Sequence, residues 1–316
     1  MKFWTTLQLE LKNGHSIVLM YVIKSKGSSP GRQGFKMIVS QSGLLAGSIG
    51  GGVMEHTLVE LCKTELLTTP FKPFIKKQIH QPNAGTHKSG LICSGQQLIG
   101  FYYLGLSNLT LINKIIDAYK LKKQVQLSLS NTGIALENTK INSKFQSKIA
   151  DEENWELKEN IHFSPQLYII GGGHVSLALS KFAKEVGFEV TVYDDRANLN
   201  TVSQNKFATT KYMADYNAIA SGIPNGKHTY VVIMSFGYKT DKVILSSLLA
   251  GRYKYLGMMG SQAKINTLFK ELAQEGINKK ELAKVYAPIG YAIASKTPAE
   301  IAISILAQVI KTKNIE

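Results

Sequence analysis

The sequence predicts an α/β protein of two domains, an N-terminal mixed α/β domain and a C-terminal doubly wound domain on a parallel sheet. Three observations predict it. First, apolar segments at 167–170, 189–193, 230–235 and 253–258 alternate with helical patterns, the rhythm of a parallel sheet covered on both faces. Second, the stretch 167–196, LYIIGGGHVSLALSKFAKEVGFEVTVYDDR, carries an apolar run into Gly171-Gly172-Gly173 and ends a second apolar run on Asp194-Asp195 about twenty residues later. Third, the first hundred or so residues hold short β-branched or aromatic runs at 17–23, 35–39 and 98–104, bounded by Gly, Ser or Pro and interrupted by one amphipathic helix at about 52–67.

The elements sort into an N-terminal domain over 1–105, a connecting region over 106–164 and a C-terminal domain over 165–316. The middle stretch is rich in Lys, Asn, Ser and Gln, has only an intermittent apolar pattern, and ends at Ser164-Pro165. The last helix has a legible start. Thr297-Pro298-Ala299-Glu300 places a hydroxyl at the N-cap, proline at the first position and glutamate at the third, so two orphan amides are satisfied reciprocally. Its stripe of Ile301, Ile305 and Ile310 is expected to pack inward.

With 316 residues, 44% of them hydrophobic, the chain can bury the cores of two domains, which excludes disorder throughout. No apolar run approaches the roughly eighteen residues that a membrane helix needs, and the first residues interleave polar with apolar instead of forming a signal-peptide core. A cytoplasmic protein without a membrane partner is expected. Cys62 and Cys93 are too few for a disulfide framework or a four-ligand zinc site. The net charge of +15 favours weak association with polyanions. The lysines are scattered, however, Lys122-Lys123 and Lys279-Lys280 among them, without the basic helix or interleaved aromatics of a nucleic-acid reader. No specific nucleic acid is expected, and a phosphorylated small ligand would benefit from the same field.

Two glycine loops are the candidate sites. In 171–173 glycine permits a tight turn and close backbone approach, the following helix start offers amides to an anion, and the acid after the next strand can accept a ribose hydroxyl. This is a Rossmann-like arrangement, with Ser176 in place of the third glycine. Asp194 favours an unphosphorylated ribose, while Arg196 can pair with a phosphate, so NAD, NADP and another pyrophosphate ligand all stay open. The candidate ligand residues here are Gly171, Gly173, His174, Asp194, Asp195 and Arg196. His174 can donate to a phosphate or act as an acid or base near neutral pH. No second histidine follows at ligand spacing, which argues against a metal there.

In the first domain Ala46-Gly47-Ser48-Ile49-Gly50-Gly51-Gly52 runs into a helix carrying Glu55 and His56, leaving amides that can cradle an oxyanion. Ser48, Gly50, Gly51, Gly52 and Glu55 are the candidates. An upstream loop over 27–34 supplies hydroxyls and the Arg32 guanidinium and is expected to face the same pocket. Cys93-Ser94-Gly95 lies in a third turn, where an exposed thiol could meet a soft ligand or sulfur donor. A buried small hydrophobe is its commoner role.

Taken in order, GSSPGRQGFKMIV, LAGSIGGGVMEH, Cys93-Ser94-Gly95, LYIIGGGHV with YDDR, YLGMMGSQAK and APIGYAIASKTPAEIAISILA resemble the motifs of the xanthine dehydrogenase accessory family that includes XdhC and CoxI. The resemblance covers most of the chain outside the connecting region. It implies a molybdenum cofactor-binding maturation chaperone rather than a catalyst. Such a protein would assist sulfuration with a cysteine desulfurase and insert the cofactor into xanthine dehydrogenase or a related molybdenum hydroxylase. It further implies a phosphate or dinucleotide end at a glycine-rich helix start and Cys93 as a soft metal contact near molybdenum, in a cleft between domains.

Departures mark a divergent member. Cys93-Ser94-Gly95 stands where the family has Cys-Gly-Gly, and Gly52-Val53-Met54-Glu55 where it has Gly-Cys-Leu-Glu. Ser235-Phe236-Gly237-Tyr238, followed by Lys239-Thr240-Asp241, stands for Thr-Arg-Gly-His-Asp, and Ala292 replaces an aspartate. Two other functions compete: an NAD(P)-dependent oxidoreductase using the Rossmann-like domain, and a nucleotide- or polyanion-binding module. A homodimer is expected, because doubly wound domains often expose an apolar helix face.

Overall fold

The computed structural model describes residues 1–79, 95–121, 123–137, 143–161 and 164–315. It separates into two units, Met1–Phe163 and Ser164–Glu316, at the Ser164-Pro165 break.

The first unit opens with α1 (Lys2–Lys12), where Trp4, Leu7 and Leu11 recur three and four residues apart and are buried along one face. β1 (Ile17–Lys26) follows. Its first seven residues are all apolar and all buried, because both faces of the strand are covered. β2 (Lys36–Ser40) and β3 (Gly43–Ser48) form a hairpin beside it, and α2 (Gly52–Leu61) continues into a π-helical turn over Cys62–Leu66. β4 (Phe74–Ile79) and β5 (Gln96–Leu104) complete an antiparallel five-stranded sheet in the order β3-β2-β1-β5-β4. One face of β1, with Val18, Met20 and Val22, packs on Met54, Leu58 and Cys62 of the α2 segment.

The other face of β1, with Leu19, Tyr21 and Ile23, packs on residues expected to be connecting region. That stretch is folded. It holds α3 (Leu109–Lys120) and the strands β6 (Val125–Ser130), β7 (Gly133–Glu137), β8 (Phe145–Ile149) and β9 (Trp155–Ile161). The strands form a four-stranded antiparallel sheet in the order β7-β6-β9-β8. Ile112, Ile115, Ile116, Leu127, Leu129, Trp155 and Leu157 share one core with α1 and β1. In β6 the polar Gln126 and Ser128 alternate with Leu127 and Leu129 and are buried with them, so the strand does not read as an apolar run.

The second unit has the expected doubly wound form. β10 (Gln166–Ile170), α4 (His174–Glu185) and β11 (Glu189–Asp194) make the first βαβ unit. A short α5 (Asn200–Ser203) leads to β12 (Thr210–Met213), an edge strand that the sequence pattern misses because it is largely exposed. β13 (Gly226–Ile233), α6 (Tyr238–Leu248), β14 (Tyr253–Met258), α7 (Gln262–Gln274), α8 (Lys279–Leu282) and α9 (Pro298–Asn314) follow. The sheet is parallel, in the order β12-β11-β10-β13-β14. Helices α6 and α7 cover one face and α4 and α9 the other. The capping box at Thr297 and Glu300 is formed in both directions. Connections leave β10 and β13 toward opposite sides, so the crevice outside their carboxyl ends is the place where a sheet of this topology binds ligands. No helix among the described residues is long and apolar enough to cross a membrane.

Candidate functional site

In the second unit the crevice is built by the exits of β10, β11 and β13. Gly171 adopts φ 113°, and an added Cβ would lie 2.2 Å from the carbonyl oxygen of Met234. Only glycine lets the β10 exit lie this close to the β13 exit. Gly172 is equally confined, since its Cβ would meet Val202 at 2.2 Å. Gly173 differs: its φ of −67° suits any residue, and its Cβ would meet nothing within 4 Å. It caps α4, whose first residue, His174, is exposed. Ser176 is buried, as close helix-to-strand packing requires, and its hydroxyl has no hydrogen-bond partner among the described residues.

Asp194 does not stand ready for a ribose. It is 3% exposed, and both carboxylate oxygens are engaged within the chain. Oδ2 accepts from the Gly172 amide at 2.6 Å and from Arg196 Nη2 at 2.8 Å, while Oδ1 accepts from Arg196 Nε at 2.8 Å and its backbone amide at 3.0 Å. Burial by itself would raise this carboxyl; the Arg196 guanidinium and the Gly172 amide overcome it and hold the group below the usual carboxylate range. Arg196, expected as a phosphate partner, therefore serves Asp194 first. Its guanidinium also lies 5.7 Å from the ring centre of Phe236, which is 84% exposed on the β13 exit. Asp195, next in sequence, is exposed.

One cluster in this crevice joins two of the segments that carry the family resemblance. Asp241, on the first turn of α6, is 1% exposed, accepts from the Ser235 hydroxyl and pairs with the Lys264 ammonium. The segments holding Ser235, Asp241 and Lys264 stand out as motifs, but their spacing does not reveal the contact, because α7 delivers the lysine from a distant part of the chain.

In the first unit three loops meet. An added Cβ on Gly31 would lie 2.0 Å from the Ile49 carbonyl oxygen, which itself accepts from Gln97 Nε2 at 2.7 Å. A Cβ on Gly95 would come within 2.5 Å of the Ser29 amide. The loops over 27–34 and 46–52 and the start of β5 thus meet at one end of the sheet. Cys93 lies outside the described residues. Cys62 is buried, and burial pushes its thiol up to about 12, which makes it inert. No cluster of three or more His, Cys, Asp or Glu side chains able to hold a metal occurs among the described residues.

The glycine loop is shaped as an anion nest, with Gly50, Gly51 and Gly52 at φ 138°, 76° and 68°. Its anion is internal. Glu55 Oε2 accepts from the Ser48 hydroxyl at 2.7 Å, the Ile49 amide at 3.0 Å and the Gly51 amide at 2.9 Å. Glu55 was expected to help hold a ligand; instead its carboxylate occupies the place a ligand oxyanion would take. Glu55→Ala is expected to cost about 1–2 kcal/mol by leaving these donors unpaired. Inorganic phosphate should restore part of that loss by entering the nest. Urea unfolding with and without phosphate measures both effects, and an E55A variant indifferent to phosphate would contradict the nest.

Two family models match the chain. The XdhC and CoxI family matches residues 10–70, and the XdhC Rossmann domain matches residues 167–309. Over 331 aligned positions, 98% of this chain and 97% of the relative, the chain is 22% identical to a probable xanthine dehydrogenase subunit of Bacillus subtilis (strain 168). It is 30% identical over 151 residues to the uncharacterized protein YqeB of Escherichia coli (strain K12), a match spanning 48% of this chain but 28% of YqeB. A crystal structure of a xanthine dehydrogenase from Bacillus halodurans superposes with a TM-score of 0.74 at 23% identity, covering 97% of this chain and 94% of that one. That likeness extends the shared fold to both units.

Proposed function

We propose that this chain, which belongs to the XdhC and CoxI family, is a maturation chaperone that binds the molybdenum cofactor. It assists sulfuration of the cofactor with a cysteine desulfurase and passes it to xanthine dehydrogenase or a related molybdenum hydroxylase. The observation that carries this over a nicotinamide-dependent oxidoreductase is the state of the crevice in the second unit. The acid that would anchor a dinucleotide ribose is closed by Arg196 and Gly172, whereas the helix start at Gly173 and His174 is open.

The residues fit the phosphate end of such a cofactor. The open space over Gly173, the first-turn amides of α4 and the exposed His174 supply donors without displacing any side chain. Phe236, next to Arg196 on the β13 exit, offers an exposed apolar face. The cofactor brings its metal already bound through its own dithiolene sulfurs, and the chain's part is to hold, orient and release it. A proton-transfer pair for hydride chemistry is not offered by Ser235 and Asp241, because Lys264 already neutralises that carboxylate.

Gly173→Val tests this reading, since the backbone there suits valine and an added Cβ meets nothing within 4 Å. Titration of the isolated cofactor should show binding at least about tenfold weaker, with urea unfolding changed by less than about 1 kcal/mol. Undiminished binding by G173V would place the cofactor elsewhere.

A further inference from the structure

We infer that Lys24, Lys26 and Lys77 of the first unit form a binding site for a small polyanion of the pyrophosphate class. The sheet register brings them together. Lys24 stands opposite Leu98, and Leu98 stands opposite Lys77, so the two lysines flank one leucine in a single row across β1, β5 and β4. Lys26, opposite Gln96, lies two residues further along β1 and shares that face. Strand spacing puts the Cα atoms of Lys24 and Lys77 about 10 Å apart and those of Lys24 and Lys26 about 7 Å apart. The three ammonium groups can therefore close on one ligand.

They line a cavity of about 380 Å³ together with Ser25, Leu98 and Ile149. None of the three has an ion pair among the described residues, whereas Lys36, Lys63, Lys158, Lys242, Lys264 and Lys284 each do. Like charges gathered beside apolar Leu98 and Ile149 repel one another, and a multivalent anion relieves that repulsion. The opposite face of the same sheet end offers no such opening, because Glu55 already fills the nest there. Two linked phosphates match three ammonium groups better than one does.

Calorimetric titration of the full chain with inorganic pyrophosphate, at about 0.15 M salt to screen the general field, tests the assignment. The wild type should bind, and orthophosphate should bind at least about tenfold more weakly. K24Q/K26Q/K77Q should lose about 100-fold or more in affinity. K12Q/K114Q/K120Q removes the same charge elsewhere on the unit and should change affinity by less than about threefold. Circular dichroism confirms that both variants fold. No binding by the wild type, equal losses in the two variants, or no loss in K24Q/K26Q/K77Q would each overturn the site. The outcome is separate from cofactor retention at Gly173.

Discussion

Gly171→Ala is expected to destabilise the second unit by about 4 kcal/mol or more, a large effect for a single methyl group. Two penalties add. At φ 113° an L side chain is strained wherever it points. Here it points at backbone, 2.2 Å from the Met234 carbonyl oxygen and 2.8 Å from the Ser235 amide, and backbone cannot swing aside as a side chain would. Relief requires the β10 and β13 exits to separate, which also dismantles the crevice. Hydrogen exchange followed by mass spectrometry localises the effect. Peptides covering Gln166–Ile170 and Gly226–Ile233 should lose protection while those covering Ile17–Lys26 keep it. Unchanged protection across β10 would mean that the close approach is not needed for the fold.

Arg196→Ala should cost about 2–4 kcal/mol, and more than Asp194→Asn, although both remove the same pair. The asymmetry follows from exposure. The Arg196 side chain is 39% exposed and can rehydrate when its partner goes, whereas the Asp194 side chain at 2% cannot. Removing the arginine leaves a charge in the interior; removing the aspartate releases one toward water. The pH dependence separates the cases further. In the wild type the folded Asp194 carboxyl titrates below its ordinary value, so its contribution is present above about pH 4 and fades as pH falls through the folded pKa. Removing the Arg196 side chain takes away its hydrogen bonds and charge and leaves burial, the largest single cause and one that raises the carboxyl, opposed only by the backbone amides of residues 172 and 196. The deficit of R196A should then shrink as pH is lowered from about 7 toward 4, because the buried charge is neutralised. A deficit constant over that range would show that Asp194 is not the group concerned.

Much of the second unit was legible in sequence because its central strands are buried on both faces and read as unbroken apolar runs. β10 and β13 are of this kind, while β12, with Tyr212 and Met213 exposed on the sheet edge, is not. In the first unit the signal was present but thin. Ile112, Ile115 and Ile116 have helical spacing within α3, and Leu127 and Leu129 alternate as a strand should, yet each run is too short to stand out from the polar residues around it. The glycine loops were legible as loops, since their backbone geometry needs glycine. Their ligands were not. Whether Glu55 folds back into its own nest, or Arg196 onto Asp194, depends on side-chain directions that no spacing encodes. The row of Lys24, Leu98 and Lys77 depends on strand register across a bulge in β1 between Val22 and Lys24.

Mass spectrometry of the small molecules released from protein freshly purified after co-production with the molybdenum cofactor pathway tests the carrier reading most directly. A pterin recovered in near-equal amount with the wild-type chain, and lost from G173V, is the expected result. Recovery of a nicotinamide dinucleotide in its place, or of no pterin from the wild type, would contradict it.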